Sequence, residues 1–278
     1  MKYSFITQHK NTFPVRLMCQ VLGVDRSCYY HYRRQMDTRP PDPEHEEMLE
    51  WVQRVDDASD HTYGSRRMKR ALNCLGYPVS RNKARNLMRE AGVQVRHRKK
   101  FKVTTNSNHK QPVYDNLLQR QFDVPQPDQV YAADVTYVLC LRKVVGWSMS
   151  PRMKSQLVCD ALKMAAWQRR PKAGLIHHSD RGSQYASKAF RKLLRINGFQ
   201  GSMSRKGDCW DNAVVESFFG SLKQERVQWR NYQTRYEAQQ DILQYISSWY
   251  NPYRLHSTLN YVSPNDYEKR LLETKHAA

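Results

Sequence analysis

Acid is scarce in this chain. Across 278 residues, 26 Asp plus Glu face 46 Lys plus Arg, a formal net charge of +20. An excess of that size points to a polyanionic partner, with a merely basic soluble protein as the plainer alternative. Long apolar runs are also missing. None approaches the ~20 residues that cross a bilayer, which leaves an anionic membrane surface a poorer fit than nucleic acid. The N-terminal MKYSFITQHKNTF lacks the apolar centre of a signal peptide, so a cytoplasmic location is expected. The six cysteines, Cys19, Cys28, Cys74, Cys140, Cys159 and Cys209, form no CxxC pair. Neither a zinc ribbon nor a redox motif is indicated, and reduced, mostly buried thiols are expected. His177 and His178 adjoin, but no second Cys or His pair stands at finger spacing.

What the chain does have is concentrated between residues 176 and 223. LIHHSDRGSQYAS leads through a basic helical segment to GSMSRKGDCWDNAVVESFFGSLKQE. Asp180 follows an apolar run and precedes Arg181-Gly182, which places it where a strand gives way to a loop. Residues 212–226 read as an amphipathic helix. Val215, Phe218, Phe219 and Leu222 recur at core spacing, while Asn212, Glu216, Gly220 and Lys223 share the other face. Upstream, VYAADVTYVL is apolar and β-prone apart from Asp134. Three carboxylates from three separate elements can hold two hard divalent ions. Such ions prefer oxygen ligands, and a pair ~4 Å apart can act on both the attacking and leaving oxygens of a phosphodiester.

These motifs resemble the Asp-Asp-Glu transposases of bacterial insertion sequences: Asp134 in DVTY, Asp180 in HSDRGSQY and Glu216 in DNAVVESF. Thirty-five residues separate Asp180 from Glu216, and Lys223 follows seven later. SMSRKGDCWDN and WYNPYRLHSTLNYVSP extend the resemblance over nearly the whole chain. It implies an α/β fold with a ribonuclease-H-like catalytic core, and Mg2+-dependent DNA cleavage and strand transfer, with Mn2+ as a substitute ion. Asp134, Asp180 and Glu216 would be both catalytic residues and metal ligands. Lys223 would hold DNA, and Asn212 would contact DNA and orient the site. Tyr253, Arg254 and His256 would have a supporting role. The implied partners are double-stranded DNA (element ends and target), further copies of the chain, and the product of an upstream reading frame. The zinc-binding N-terminal module of retroviral integrases looks absent.

The rest of the chain reads as a helical, helix-turn-helix-like DNA-binding region ahead of the core. Residues 1–38 suit a small helix-turn-helix, with Val15, Met18, Cys19 and Leu22 before Gly23, and Tyr29, Tyr30 and Arg33 after Asp25. A docking hairpin that never touches DNA fits equally. Residues 44–102 predict a helix over 44–60 and two shorter ones over 65–75 and 80–91. Gly76 would end the first of these and Ser80 cap the second. Leu72, Leu75, Ala84, Leu87 and Met88 would pack together. Arg66, Arg67, Lys69, Arg70, Arg81, Lys83 and Arg85 would face outward to DNA. The basic arm with Arg96, Arg98, Lys99 and Lys100 would follow phosphates without reading bases. Residues 103–124 read as a linker with a short helix over 114–122, and 125–278 as the core. There, helices are expected over 154–168 and 187–197, the latter with Ile196 inward. A mobile loop would bring Arg205 and Lys206 to the DNA, and Ile242, Tyr245, Ile246 and Trp249 would pack a C-terminal helix over the sheet.

One stretch departs from the pattern. A ribonuclease-H-like core opens with three antiparallel strands, which at ordinary lengths take roughly 20–25 residues. Here 19 residues run from Tyr131 to Met149, and the core reads as lacking its second strand. That raises an alternative, a catalytically silent DNA-binding remnant or regulator. A ribonuclease shares the carboxylate logic but would have to engage the 2′-hydroxyl of RNA, and the basic helical region disfavours it.

Overall fold

The computed structural model describes residues 2–37, 42–96, 112–122, 124–134, 136–205 and 209–276. Two compact units divide the chain, Met1–Glu50 and Trp51–Ala278. The first contains α1 (Lys2–His9), α2 (Val15–Val21) and α3 (Arg26–Asp37), followed by the start of α4 (Pro43–Ala58). Gly23 takes the left-handed backbone (φ 57) that ends α2. The carboxylate of Asp25 accepts from the Ser27 N–H and hydroxyl, both at 2.7 Å, and so starts α3. Ile6, Met18, Cys19 and Tyr29 form the buried cluster. α1 is an addition to the expected pair, and of its residues only Ile6 is buried.

In the second unit, α5 (Ser65–Cys74) and α6 (Arg81–Glu90) form the expected helix pair. The Ser80 hydroxyl accepts the Lys83 N–H at 3.1 Å and caps α6. Met68, Leu72, Ala84, Leu87 and Met88 are buried, whereas Leu75, expected among them, is 41% exposed. No helix forms over 114–122. Gln119 and Arg120 take left-handed backbone (φ 45 and 64), and the segment instead lies as a strap on the sheet edge. Its Leu117 N–H donates to Ser202 Oγ at 3.0 Å. Tyr114 packs so closely on Gly201 that a Cβ there would meet its ring at 2.6 Å.

The strands β1 (Val130–Asp134), β2 (Tyr137–Cys140), β3 (Lys143–Trp147), β4 (Ile176–Ser179) and β5 (Gln200–Met203) make one sheet in the order β3-β2-β1-β4-β5. β1–β2 and β2–β3 pair antiparallel, while β1–β4 and β4–β5 pair parallel. The second strand expected to be missing is therefore present. The expectation assumed ordinary strand lengths and read 130–140 as one strand. Instead the strands shrink to five, four and five residues. Only Val135 and Thr136 separate β1 from β2, and Leu141 and Arg142, both left-handed (φ 47 and 65), turn β2 into β3. Two consecutive positive-φ residues match the right-handed twist of a tight hairpin. This is the ribonuclease-H-like arrangement, compressed.

Helices cover both faces. α7 (Ser155–Arg169) and α8 (Lys188–Ile196) pack on Tyr131, Ala133, Val138 and Val145. α7 lies so near β3 that a Cβ on Gly146 would come within 2.4 Å of the Ala161 carbonyl. Ser187 caps α8 by accepting the Phe190 N–H. Ile196, expected inward, is 68% exposed, because it falls on the last residue of α8. α9 (Ala213–Glu225) and α10 (Arg235–Tyr245), with a π-helical turn at Ile246–Tyr250, cover Ala132, Tyr137, Leu139 and Val144 on the opposite face. α11 (Pro264–His276) ends the described chain, and its Glu268 pairs with Lys143 of β3 at 2.7 Å. Among the described residues, no helix is long and apolar enough to cross a membrane.

Candidate active site

Parallel pairing brings two of the carboxylates together. Ala132 stands opposite His178 and Ala133 opposite Ser179, so one further step sets Asp134 beside Asp180 at the carboxyl ends of adjacent strands. Crevices at such strand ends are the usual ligand sites of open α/β sheets. Asp180 Oδ1 accepts the Gly182 N–H at 3.0 Å, which holds the turn. Beneath them lies Tyr185, 2% exposed. Its phenol is held well above the ordinary value, first by burial and then by the charges of Asp134 and Asp180.

Glu216 arrives on α9. Val215, Phe218 and Leu222 anchor that helix in the core while Glu216 and Lys223 stay exposed, and the Lys223 ammonium lies 5.9 Å from the Phe219 ring centre. Asn212 departs from expectation. It is 5% exposed and donates from Nδ2 to the Ala133 carbonyl at 3.2 Å, so it is a tether between α9 and β1 and not a surface contact for DNA. The oxygens of Asp134, Asp180 and Glu216 do not all lie within 4.8 Å of one another; among the described residues the set that does is Asp56, Asp57 and His61. There His61 Nδ1 and Asp56 Oδ2 are 2.6 Å apart and close the end of α4, a pairing the sequence did not announce. Three carboxylates sharing two ions ~4 Å apart need no such crowding.

Arg205 also departs from expectation. Instead of a free clamp, it pairs with Asp211, Nη2 to Oδ1 at 2.9 Å and Nε to Oδ2 at 3.0 Å. Asp211 is fully buried and also accepts from Arg120 Nε and Asn116 Nδ2, each at 2.8 Å. Hydrogen bonds from Arg205 hold its carboxyl well below the usual range despite burial. Lys206 lies outside the described residues, as do Arg98, Lys99 and Lys100. His177 and His178 face opposite ways and serve structure. His177 packs on Tyr185 and Phe190; His178 Nδ1 meets Ser202 Oγ at 2.8 Å.

On the helix pair, Arg66, Arg70, Arg81, Lys83 and Arg85 are exposed, while Lys69 is half-buried. Arg67 is half-buried over the Tyr63 ring at 5.4 Å, turned from the outward face expected of it. Arg96 lies over Trp229 at 5.0 Å, and its backbone joins His61 and Gln224.

A sheet in this order, with acids at adjacent strand ends and a further acid on the covering helix, fits the core of an integrase-type DNA transposase. Integrase core domain models match residues 124–209 and 197–264, and an HTH-like domain model matches 43–101. The chain is 37% identical to the transposase InsF for insertion sequence IS3A of Escherichia coli (strain K12), covering 98% of this chain and all of that one. It is 38% identical to an uncharacterized 31 kDa protein of insertion element IS600 of Shigella sonnei, over 91% and 98%. The chain belongs to the IS3 family of insertion-sequence transposases. A solved Mos1 transposase paired-end complex with left transposon end aligns over 84% of each chain at 12% identity, but with a TM-score of 0.33 the likeness is loose. Integrase-type cores work with divalent metal ions.

Proposed function

We propose that this transposase cuts and joins DNA at Asp134, Asp180 and Glu216, with magnesium as the ion and manganese as its substitute. The observation that carries the reading is the parallel register of β1 and β4, which sets Ala133 opposite Ser179 and so brings Asp134 and Asp180 to neighbouring strand ends. The donor set is oxygen only, which suits hard divalent cations. When bound, those ions polarise the phosphodiester and activate the attacking hydroxyl. The chain's own residues supply placement. β1 and β4 fix two carboxylates through the sheet, and α9 delivers the third. Lys223, about two turns further along the same face of the helix, offers a cation to a DNA phosphate. Exposed Arg66, Arg70, Arg81, Lys83 and Arg85 contact double-stranded DNA, at element ends and at the target. Their affinity falls steeply with salt as counterions are released.

The chain acts in the cytoplasm, as a homo-oligomer on paired ends, with the product of an upstream reading frame aiding end recognition. The silent-remnant alternative loses its premise, because the strand whose absence suggested it is in place. Thermal unfolding during a manganese titration tests the metal reading, since a ligand of the folded state raises the midpoint as it saturates. The wild-type midpoint is expected to rise and that of Asp180→Asn to stay flat. Equal shifts in both proteins would overturn the assignment of Asp180.

A further inference from the structure

The far end of α9 carries a second polar anchor. Glu225, its last residue, is 3% exposed, and so is Arg254 in the YNPYRLH segment. Arg254 Nε donates to both Glu225 oxygens at 2.9 Å and Nη2 to Oε1 at 2.5 Å. The same Nη2 donates to Ser221 Oγ at 2.9 Å, one turn earlier on α9. Tyr245 adds a hydrogen bond to Glu225 Oε2 at 2.8 Å. The arginine is itself held: its N–H donates to the Trp249 carbonyl, its guanidinium lies 5.6 Å from the Tyr250 ring centre, and the next N–H, of Leu255, donates to Tyr63. With the Asn212–Ala133 bond at the other end, α9 is tied by directional contacts at both ends.

We propose that Arg254 is a positioning residue: by gripping Glu225 and Ser221 it fixes the roll of α9 and thereby the place of Glu216. The inference rests on the reading of Glu216 as a metal-binding carboxylate. Glu225 lies nine positions after Glu216, which at ~100° per residue puts them on opposite sides of the helix. Turning one inward by a given angle turns the other outward by the same angle. A carboxylate ~6 Å from the helix axis moves ~1 Å for a roll of about 10°. A misplacement of ~1 Å can lower a rate ~100-fold. The apolar stripe Val215, Phe218 and Leu222 does not set the roll so sharply, because hydrophobic attraction is non-directional. The planar, two-pronged guanidinium–carboxylate contact is directional.

The test compares wild type with Arg254→Lys, which keeps the charge and loses the fork. Three readouts are taken: amide hydrogen exchange without metal, the manganese concentration at half-saturation, and affinity for a random-sequence duplex. The expected result is faster exchange confined to 213–225 and a manganese midpoint raised ~10-fold, with duplex affinity within about twofold. If Arg254→Lys does not fold, Glu225→Met/Arg254→Met removes both buried charges together and is read the same way. Exchange and midpoint both at wild-type values would overturn the proposal. So would protection lost evenly through α7 and the sheet, which marks a general structural role. A wild-type protein without any manganese response would instead sink the carboxylate reading, and α9 exchange would still decide whether Arg254 fixes the helix.

Discussion

The two faces of the sheet are held by different chemistry. Against α7 and α8 the contacts are mostly apolar, with Leu162 and Ala165 fully buried among Tyr131, Val138 and Phe190, and a polar clamp stands at the end of α7, where Arg169 grips both oxygens of Asp128. Against α9 and α10, apolar packing is joined by the buried Glu225–Arg254 pair, and the Asn212 tether adds a second polar element. Apolar contacts fill space and supply most of the stability without choosing one orientation. A desolvated ion pair is weak evidence for stability, but its two-pronged contact is directional. The histidines of β4 repeat the contrast. His177 enters the apolar cluster with its Nε2 unpartnered, and His178, on the other side, meets the hydroxyls of Ser202 and Ser204. The lesson is one of placement: on the α7 side the guanidinium clamp holds the end of the helix at Asp128, whereas on the other side polar contacts hold both ends of the helix that bears Glu216.

The contrast can be broken from the apolar side most violently. Leu162→Ala is expected to lower stability by about 2–5 kcal/mol in urea unfolding, while leaving the manganese midpoint of the remaining folded protein unchanged. A smaller effect is expected from Asp211→Asn. Each charge-assisted hydrogen bond contributes roughly 1.5–3 kcal/mol when buried, but Arg120 and Arg205 are about half exposed, so water replaces part of the loss. A net fall of about 1–3 kcal/mol at neutral pH follows, checked by the same urea curves. Its acid behaviour has a definite sign. The folded carboxyl is depressed below 3.8, so its stabilisation is full above that value and is lost as pH falls through the lower folded one.

His177→Phe sharpens the comparison at neutral pH with the smallest change, within about 1 kcal/mol, because it swaps an orphaned polar atom for an apolar one. Burial lowers the pKa of His177 from 6.5 to about 3. The unfolded chain therefore takes up the proton first. Stability is full above pH 6.5 and falls by up to ~1.4 kcal/mol per unit as pH drops toward 3. The Phe variant should show a shallower acid limb in thermal unfolding between pH 6.5 and 4. An unchanged slope would mean that His177 is not held neutral.

Much of this architecture was legible from residue pattern. The cap at Ser80, the apolar stripe of α9, and Asp180 where a strand gives way to a loop follow local rules that neighbours did not override. What escaped depends on contacts distant in sequence. β5, Gln-Gly-Ser-Met, has no alternation of its own and becomes a strand because β4 offers an edge to pair with. β2 was hidden inside a continuous β-prone run whose turn has no glycine or proline to mark it. Glu225, Asp211 and Asn212 look like surface residues until a partner 29, 91 or 79 positions away buries them. Arg67 was expected on the outward face, and the Asp211 partner of Arg205 went unread, for the same reason: a charge shows its sign in a sequence, but not its partner.

The most direct measurement of the central claim is strand joining by the purified chain. Labelled DNA carrying the ends of its element, magnesium or manganese, and the Asp134→Asn, Asp180→Asn and Glu216→Gln variants are required. Joining by wild type, with each variant reduced on the order of 10³-fold while still binding the duplex, is the result expected of three carboxylates acting as one site. Joining that survives any one of these substitutions would contradict it.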